Sequence, residues 1–324
     1  MRSCNKPVRV IPARKGRSPN WIVHHDPQIP PDVFFDTNVW IGMNEADIVA
    51  LAETQQKLGF QYRYSVTNYC EIVSHLEDSP TKSCTDPFGK YQSCIRKIGR
   101  VCQSEVLPSP EMELLSMAGL SHYLQPAWIP HPTQTDLAIE IITSVKNLSE
   151  LTGESKRNEC DSRVPSYVVK PSHYRTLRDT DSESFLKITQ LLKDITPPIQ
   201  GSDKEKMHKL GAWFLQLTNF FFLIRASNNK INFQLLKEDE QTRFVSAFLQ
   251  GVGQLFQTHC TIVAKKTIND GRKLDSNDLY DAMQLLLLRS ENLLFVTNDR
   301  FFHFYEGDSE IQRVVPWVAF RKSL

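Results

Sequence analysis

The sequence carries almost no net charge: 38 Lys and Arg stand against 37 Asp and Glu, a formal +1 at pH 7. A chain so balanced is not a general polyanion binder, and any contact with nucleic acid has to come from a local basic patch. Long apolar runs are missing as well. The most hydrophobic stretch, GAWFLQLTNFFFLI from Gly211 to Ile224, falls short of the ~20 residues that a membrane span needs, and Gln216, Thr218 and Asn219 interrupt it. It reads as a buried core helix, and no membrane partner is expected. The first twenty residues hold no apolar core run, so no signal peptide is expected. The seven cysteines include no C-x-x-C pair, and the closest three (Cys84, Cys94 and Cys102) have no nearby histidine to complete a zinc pattern. Dispersed and odd in number, they suit a reducing, cytoplasmic location.

What remains is ordinary for a globular chain: 324 residues, 40% hydrophobic and 23% charged. At ~100–200 residues per domain, that length suggests two domains, or one with a large insertion. Residues 1–25 carry Arg2, Lys6, Arg9, Arg14, Lys15 and Arg17 with no acid, and Pro7, Pro12 and Pro19 argue against an amphipathic transit helix. Residues 1–31 therefore read as a basic arm without regular structure. A sharper alternative lays the arm along a phosphate backbone.

The first buried strand is Val33-Phe34-Phe35. Asn44–Phe60 has apolar residues at helical spacing, and Phe60–Val66 is aromatic and β-branched, as a second strand would be. Thr67 or Asn68 then caps a helix from Tyr69 to about Glu77. Pro, Gly and Ser mark Ser79–Lys90 as a loop. Glu111–Leu124, Thr135–Leu151, Asp181–Ile195, Asp203–Arg225 and Asn232–His259 read as helices, and the polar Thr152–Arg175 between them as a long loop. Asp275–Ser290 is a helix with an acid in its first turn; Leu293–Val296 and Ile311–Trp317 read as strands. The order predicts an α/β fold with a central, mainly parallel sheet flanked by helices, plus a mostly helical insertion. The expected organisation is the arm, residues 32–105 and 265–324 as two parts of one sheet domain, and 106–264 as the insertion.

Acids recur where this order ends its strands. Asp36 follows the first strand, Asp299 follows Leu293–Val296, Glu71 lies on the helix after the second strand, and Asp278 and Asp281 share one helix face. Parallel strands deliver their C-terminal ends to one edge, where open α/β sheets bind ligands. Carboxylates gathered there would resist ionising together, and a divalent cation removes that repulsion. Oxygen-only ligands suit Mg²⁺ or Mn²⁺, and two such ions ~4 Å apart can activate water for phosphodiester cleavage. Taken singly, each acid also has a plain structural role. Asp36 can cap a turn, Glu71 can face solvent, Asp278 can serve the helix dipole and Asp299 can make an Asx turn.

Four patches, FFDTNVWI, YSVTNYCEIVSHL, NDLYDAMQLLLL and LLFVTNDRFF, appear in an order that resembles the PIN-domain nucleases. The resemblance covers roughly residues 32–105 and 265–318 and leaves the helical block unexplained. The stretch from Glu71 to Asp281 is far longer than compact members use, so this chain is not simply one of the small PIN toxins that cut RNA beside an antitoxin. The resemblance implies a metal-dependent ribonuclease acting on single-stranded or structured RNA, with Asp36, Glu71, Asp281 and Asp299 holding Mg²⁺ or Mn²⁺ and Asp278 as a further ligand. Asn38, Thr297 and Asn298 would orient those ligands. Arg300, Lys265, Lys266, Arg272, Lys273, Arg96, Lys97 and Arg100 are the basic residues placed to guide RNA. Tyr62, Tyr64 and Trp40 read as core rather than as base-stacking residues, and His75, one turn beyond Glu71, as packed or solvated. An inhibitory or regulatory protein partner and a homo-oligomer are compatible with the insertion. The alternatives are a PIN-fold scaffold that binds RNA or protein without cutting, and a structure-specific DNA nuclease. The sequence lacks the Gly-rich helix-hairpin-helix pattern expected of the latter.

Overall fold

A computed structural model of the chain describes residues 9–11, 20–22, 30–102, 106–123, 130–158, 164–195, 200–206, 208–213, 216, 236–247, 259, 263–264, 267, 276–289, 293–299, 313–322 and 324. Its centre is a parallel sheet of β3 (Asp32–Phe35), β4 (Gln61–Arg63), β5 (Leu293–Thr297) and β6 (Val314–Pro316), in the order β4-β3-β5-β6. Val33, Phe34 and Phe35 are completely buried, as is the whole of β5 apart from traces. Such unbroken apolar runs are what strands covered on both faces require. Phe34 lies opposite Phe295 and stacks on it, with ring centroids 5.0 Å apart. Phe35 packs among Trp40, Tyr62, Trp317 and Phe320. Full burial of each Phe contributes up to about 3 kcal/mol relative to exposure. The predicted α/β class with helices flanking a parallel sheet is therefore observed.

The crossover from β3 to β4 runs through α1 (Thr37–Gly42) and α2 (Glu45–Leu58). Asn44 and Asp47 form a reciprocal capping box at the start of α2, and Gly59, at φ 73°, closes its end in the left-handed conformation that a Cβ disfavours. After β4 come α3 (Val66–Ser74) and α4 (Pro87–Val101). α5 (Pro110–Met117), α6 (Pro132–Ser144), α7 (Leu148–Asn158), α8 (Pro171–Ile195), α9 (Ser276–Leu286) and α10 (Trp317–Arg321) follow. No described helix is long and apolar enough to cross a membrane.

Several boundaries differ from the sequence expectation, each for a local reason. α3 starts at Val66, not Tyr69, because Ser65 is its cap: Ser65 Oγ accepts the Asn68 N–H at 3.1 Å and Asn68 Oδ1 accepts the Ser65 N–H at 3.0 Å. The loop expected through Lys90 ends at Asp86. Pro87 is the first helical residue of α4, a position where its missing N–H costs nothing, and Asp86 accepts the Gly89 N–H. The single helix expected over Thr135–Leu151 is two, broken where Asn147 accepts the Glu150 N–H. Much of the expected loop Thr152–Arg175 is helical: it holds the end of α7, a 3-10 turn at Ser166–Val169 and the start of α8. Buried Val168, Val169 and Tyr174 anchor that stretch, an apolar signal hidden among polar neighbours. The basic arm contains two short strands, β1 (Arg9–Ile11) and β2 (Asn20–Ile22), paired antiparallel, with β2 beside α10. Their Val-Ile and Trp-Ile pairs have the β-branched and aromatic character that strands favour. Of the helices expected over Asp203–Arg225 and Asn232–His259, residues 203–206, 208–213, 216, 238–247 and 259 are helical.

The chain divides into two compact units. The sheet unit comprises Met1–Leu107, Pro130–Arg175 and Ser290–Leu324, so α6 and α7 belong with the sheet. The other unit comprises Pro108–Ile129 and Thr176–Arg289, and its described elements are helical: α5, most of α8 and α9.

Candidate active site

Within the sheet unit, the chain leaving β3 moves to β4 on one side, and the chain leaving β5 moves to β6 on the other. The C-terminal ends of β3 and β5 therefore flank the point where the direction of connection reverses, which is where open parallel sheets form a ligand crevice. Asp36 sits there. Its backbone N–H donates to Val296 O at 2.9 Å, extending the β3–β5 ladder by one residue. The next residue starts α1, but the Asp36 side chain makes no cap to that helix. Instead Asp36 Oδ2 accepts from Thr297 Oγ1 at 2.8 Å and from Asn38 Nδ2 at 2.9 Å. Asp36 is 5% exposed. A buried carboxylate is tolerable when donors address it.

Glu71 lies on α3 and is half-buried. Thr37, the residue after Asp36, donates its hydroxyl to Glu71 Oε2 at 2.6 Å, so α1 links the two acids. Asp299 follows β5 by two residues and is half-buried; its backbone N–H donates to Thr297 Oγ1 at 2.9 Å, an ST-type turn made by the threonine. Asp36, Glu71 and Asp299 are thus tied to one sheet edge through Thr37 and Thr297. Asn38 is exposed on the Asp36 side, and Asn298 is exposed at the end of β5.

Asp278 and Asp281 belong to the helical unit, on α9, where Asp278 is buried in the first turn and Asp281 is half-buried. Between them Tyr280 donates its hydroxyl to Asp181 Oδ2 on α8 at 2.5 Å. Burial pushes the Asp181 carboxyl up to about 8, against a smaller lowering by that hydrogen bond.

Among the basic candidates, Arg300, Lys265, Lys266, Arg272 and Lys273 lie outside the described residues. The other three are on α4. Arg96 is exposed. Lys97 Nζ donates to Trp40 O at 3.1 Å and Met43 O at 2.6 Å, closing the C-terminal end of α1. Arg100 makes a two-pronged pair with Glu45, at 2.9 and 2.6 Å, which holds both side chains: the Glu45 carboxyl is lowered and the Arg100 guanidinium raised. Trp40, Tyr62 and Tyr64 are buried in the core and do not present faces to a base. His75 pairs with Asp78 at 2.6 Å and stacks on Tyr91.

Two participants escaped the sequence reading. Thr37 stands inside the Asp-Thr-Asn triplet, and the sequence pattern marks Asn68 only as a cap. Asn68 Nδ2 donates to Thr37 Oγ1 at 3.0 Å, which places it one bond from Glu71's own donor. The usable signal is the Ser-x-x-Asn spacing of Ser65 and Asn68, a capping box with the shorter Asn where Glu or Gln is usual.

The donor chemistry of Asp36, Glu71 and Asp299 is oxygen only, the kind that suits Mg²⁺ or Mn²⁺. Among the described residues, no three Asp, Glu, His or Cys side chains are grouped closely enough to hold an ion by themselves. Mg²⁺ does not demand such a cage: it is commonly held by one or two carboxylates, with water and substrate phosphate completing the set. Searches with the chain against family models, curated proteins and solved structures return no match.

Proposed function

We propose that the chain is a metal-dependent ribonuclease of PIN type that hydrolyses RNA phosphodiester bonds endonucleolytically. The observation that supports this reading is the hydrogen-bonded set at the β3–β5 edge: a buried Asp36 addressed by Thr297 and Asn38, a Glu71 addressed by Thr37, and an Asp299 anchored on Thr297. Carboxylates held this way form a rigid anionic edge at a sheet's switch point. An RNA backbone is itself anionic, so a cation has to stand between the two. Asp36, Glu71 and Asp299 would hold Mg²⁺ or Mn²⁺. The ion supplies an activated water and charge neutralisation at the phosphate. The protein's own part is to keep these carboxylates oriented and immobile, so that no reorganisation is needed at the moment of reaction. RNA is the proposed substrate. The helical unit is proposed to receive a regulatory protein.

The test is incubation of the purified chain with labelled single-stranded RNA and single-stranded DNA, in Mg²⁺, Mn²⁺ or EDTA. RNA cleavage that EDTA and Asp36→Asn abolish is the expected result. Asp281→Asn, run alongside, asks whether the α9 carboxylate serves the same chemistry. Cleavage that survives both EDTA and Asp36→Asn overturns the metal site. RNA bound but left whole in every metal replaces the enzyme with a PIN-fold scaffold, and cleavage of DNA alone replaces the substrate.

A further inference from the structure

A threonine hydroxyl has one proton to give and two lone pairs to receive with. Thr37 Oγ1 has two partners: Asn68 Nδ2 at 3.0 Å and Glu71 Oε2 at 2.6 Å. An amide N–H can only donate, so Asn68 occupies a lone pair of Thr37. The Thr37 proton then goes to Glu71, and 2.6 Å is the length of a hydroxyl bonded to an ionised carboxylate. This direction holds only if the Asn68 amide is turned with its nitrogen towards Thr37. Ser65 fixes that turn, because Asn68 Oδ1 receives both the Ser65 N–H at 3.0 Å and the Ser65 hydroxyl at 3.1 Å. Ser65, Asn68 and Thr37 are all at most 2% exposed, so water does not compete for the bonds.

Helix capping explains only half of this arrangement. A capping box asks of its third helical residue an acceptor for the cap N–H, and a carboxylate meets that need while also favouring the helix dipole. Asn68 supplies the acceptor and, in addition, a donor aimed away from the helix at Thr37. We propose that Asn68 is a positioning residue: with Thr37 it forms a one-way relay, Ser65 to Asn68 to Thr37 to Glu71, that fixes the Glu71 carboxylate in the site. The Asp36 side is built on the same plan. Thr297 takes the Asp299 N–H at 2.9 Å and directs its own proton to Asp36 at 2.8 Å. Asp36 and Glu71 are therefore each addressed by a threonine whose lone pair an N–H has already filled. The functional consequence rests on the ribonuclease reading above; the direction of the relay does not.

The discriminating variant is Asn68→Asp. It keeps the size and the cap and removes the donor, and it offers Thr37 a second acceptor that draws the hydroxyl proton off Glu71. Thr37→Val deletes the relay hydroxyl, and Thr37→Ser keeps it. In the RNA cleavage assay, Asn68→Asp and Thr37→Val should lower kcat by about 10–100-fold with little change in KM. Thr37→Ser should restore the wild-type rate. Independently of activity, nitrogen-resolved NMR of the metal-free wild type should show a slowly exchanging Asn68 side-chain amide proton. That proton should exchange fast in Thr37→Val and stay protected in Thr37→Ser. Wild-type kcat in a folded Asn68→Asp overturns the proposal. So does an Asn68 amide that exchanges identically in wild type and Thr37→Val, and this measurement decides the matter if Asn68→Asp does not fold. If the wild type cuts no RNA, the ribonuclease reading falls, and the relay stands or falls on the NMR result.

Discussion

Replacing Thr297 by Val keeps the shape of the side chain and deletes one oxygen. That oxygen donates to Asp36 Oδ2 at 2.8 Å and accepts the Asp299 N–H at 2.9 Å, and Thr297 itself is completely buried. A hydrogen bond to an ionised group contributes about 1.5–3 kcal/mol net, and leaving a buried carboxylate short of a donor costs on that scale. The extra methyl of Val returns up to about 0.8 kcal/mol. Asp299 is a half-buried residue, so loss of its N–H partner is the smaller part of the change. The balance is a loss of about 1–2 kcal/mol, which raises the open population of the sheet unit by about 5–30-fold. Hydrogen exchange of peptides from β3 and β5, followed by mass spectrometry where exchange tracks the opening equilibrium, should speed up by that factor. Thr297→Ser keeps the hydroxyl and should stay near wild type. If β3 and β5 exchange at the wild-type rate in Thr297→Val, the threonine does not hold Asp36, and the account of the sheet edge is wrong.

Asp181 gives the helical unit a pH dependence of definite sign. Burial raises its folded pKa from the ordinary 3.8 to about 8, so between those values the folded state binds one proton more than the unfolded. Stability is then present below about pH 4 and falls as pH rises towards 8, by at most about 1.4 kcal/mol per pH unit. Asp181→Asn should flatten that slope in the exchange of α8 peptides; an unchanged slope would remove the buried carboxyl as its source. Lys97→Met keeps the aliphatic stem but loses both carbonyl contacts at the end of α1, at a cost of about 1–3 kcal/mol for this half-buried cation. The measurement is protection of α1 amides together with RNA affinity. Lost affinity with intact protection would make Lys97 a phosphate contact rather than a helix clamp.

The parts of the fold legible in the sequence were those whose signal lies in one short window. Val33-Phe34-Phe35 is apolar on both faces and reads as a buried strand, and the helical spacing of apolar residues over Asn44–Phe60 marks α2. Asp36 and Asp299 follow strands and Glu71 lies on the helix after β4, a placement that depends on the strands being visible in the sequence. The errors came from punctuation residues with two meanings. Pro87 marks a loop in isolation and a helix start after Asp86. Ser65 was absorbed into the second strand, although its hydroxyl caps α3. Around Val168 and Tyr174 the polar neighbours outnumber the few residues that anchor the stretch, so its pattern resembles a loop. The roles of Thr37 and Asn68 were invisible for another reason. Thr37 lies 34 residues from Glu71 in the chain, and hydrogen-bond direction depends on which atoms meet, which no local pattern encodes.

The bond between Thr297 and Asp36 spans 261 residues, and that distance sets a schedule. β4 is made soon after β3 and can pair with it early, but the other edge of β3 waits for β5. At about 5–20 residues per second, a ribosome takes roughly 13–50 s to travel from Asp36 to Thr297. Through that interval β3 is a hydrophobic strand with an open ladder, the kind of edge that recruits stray strands from other chains. Asp36 marks the boundary of that edge as a hydrated charge, since the residue that will receive it inside the fold does not yet exist. Burial of the acid and closure of the sheet become one late event. A nascent chain interrupted before it is left with a charged, half-built edge and no assembled site.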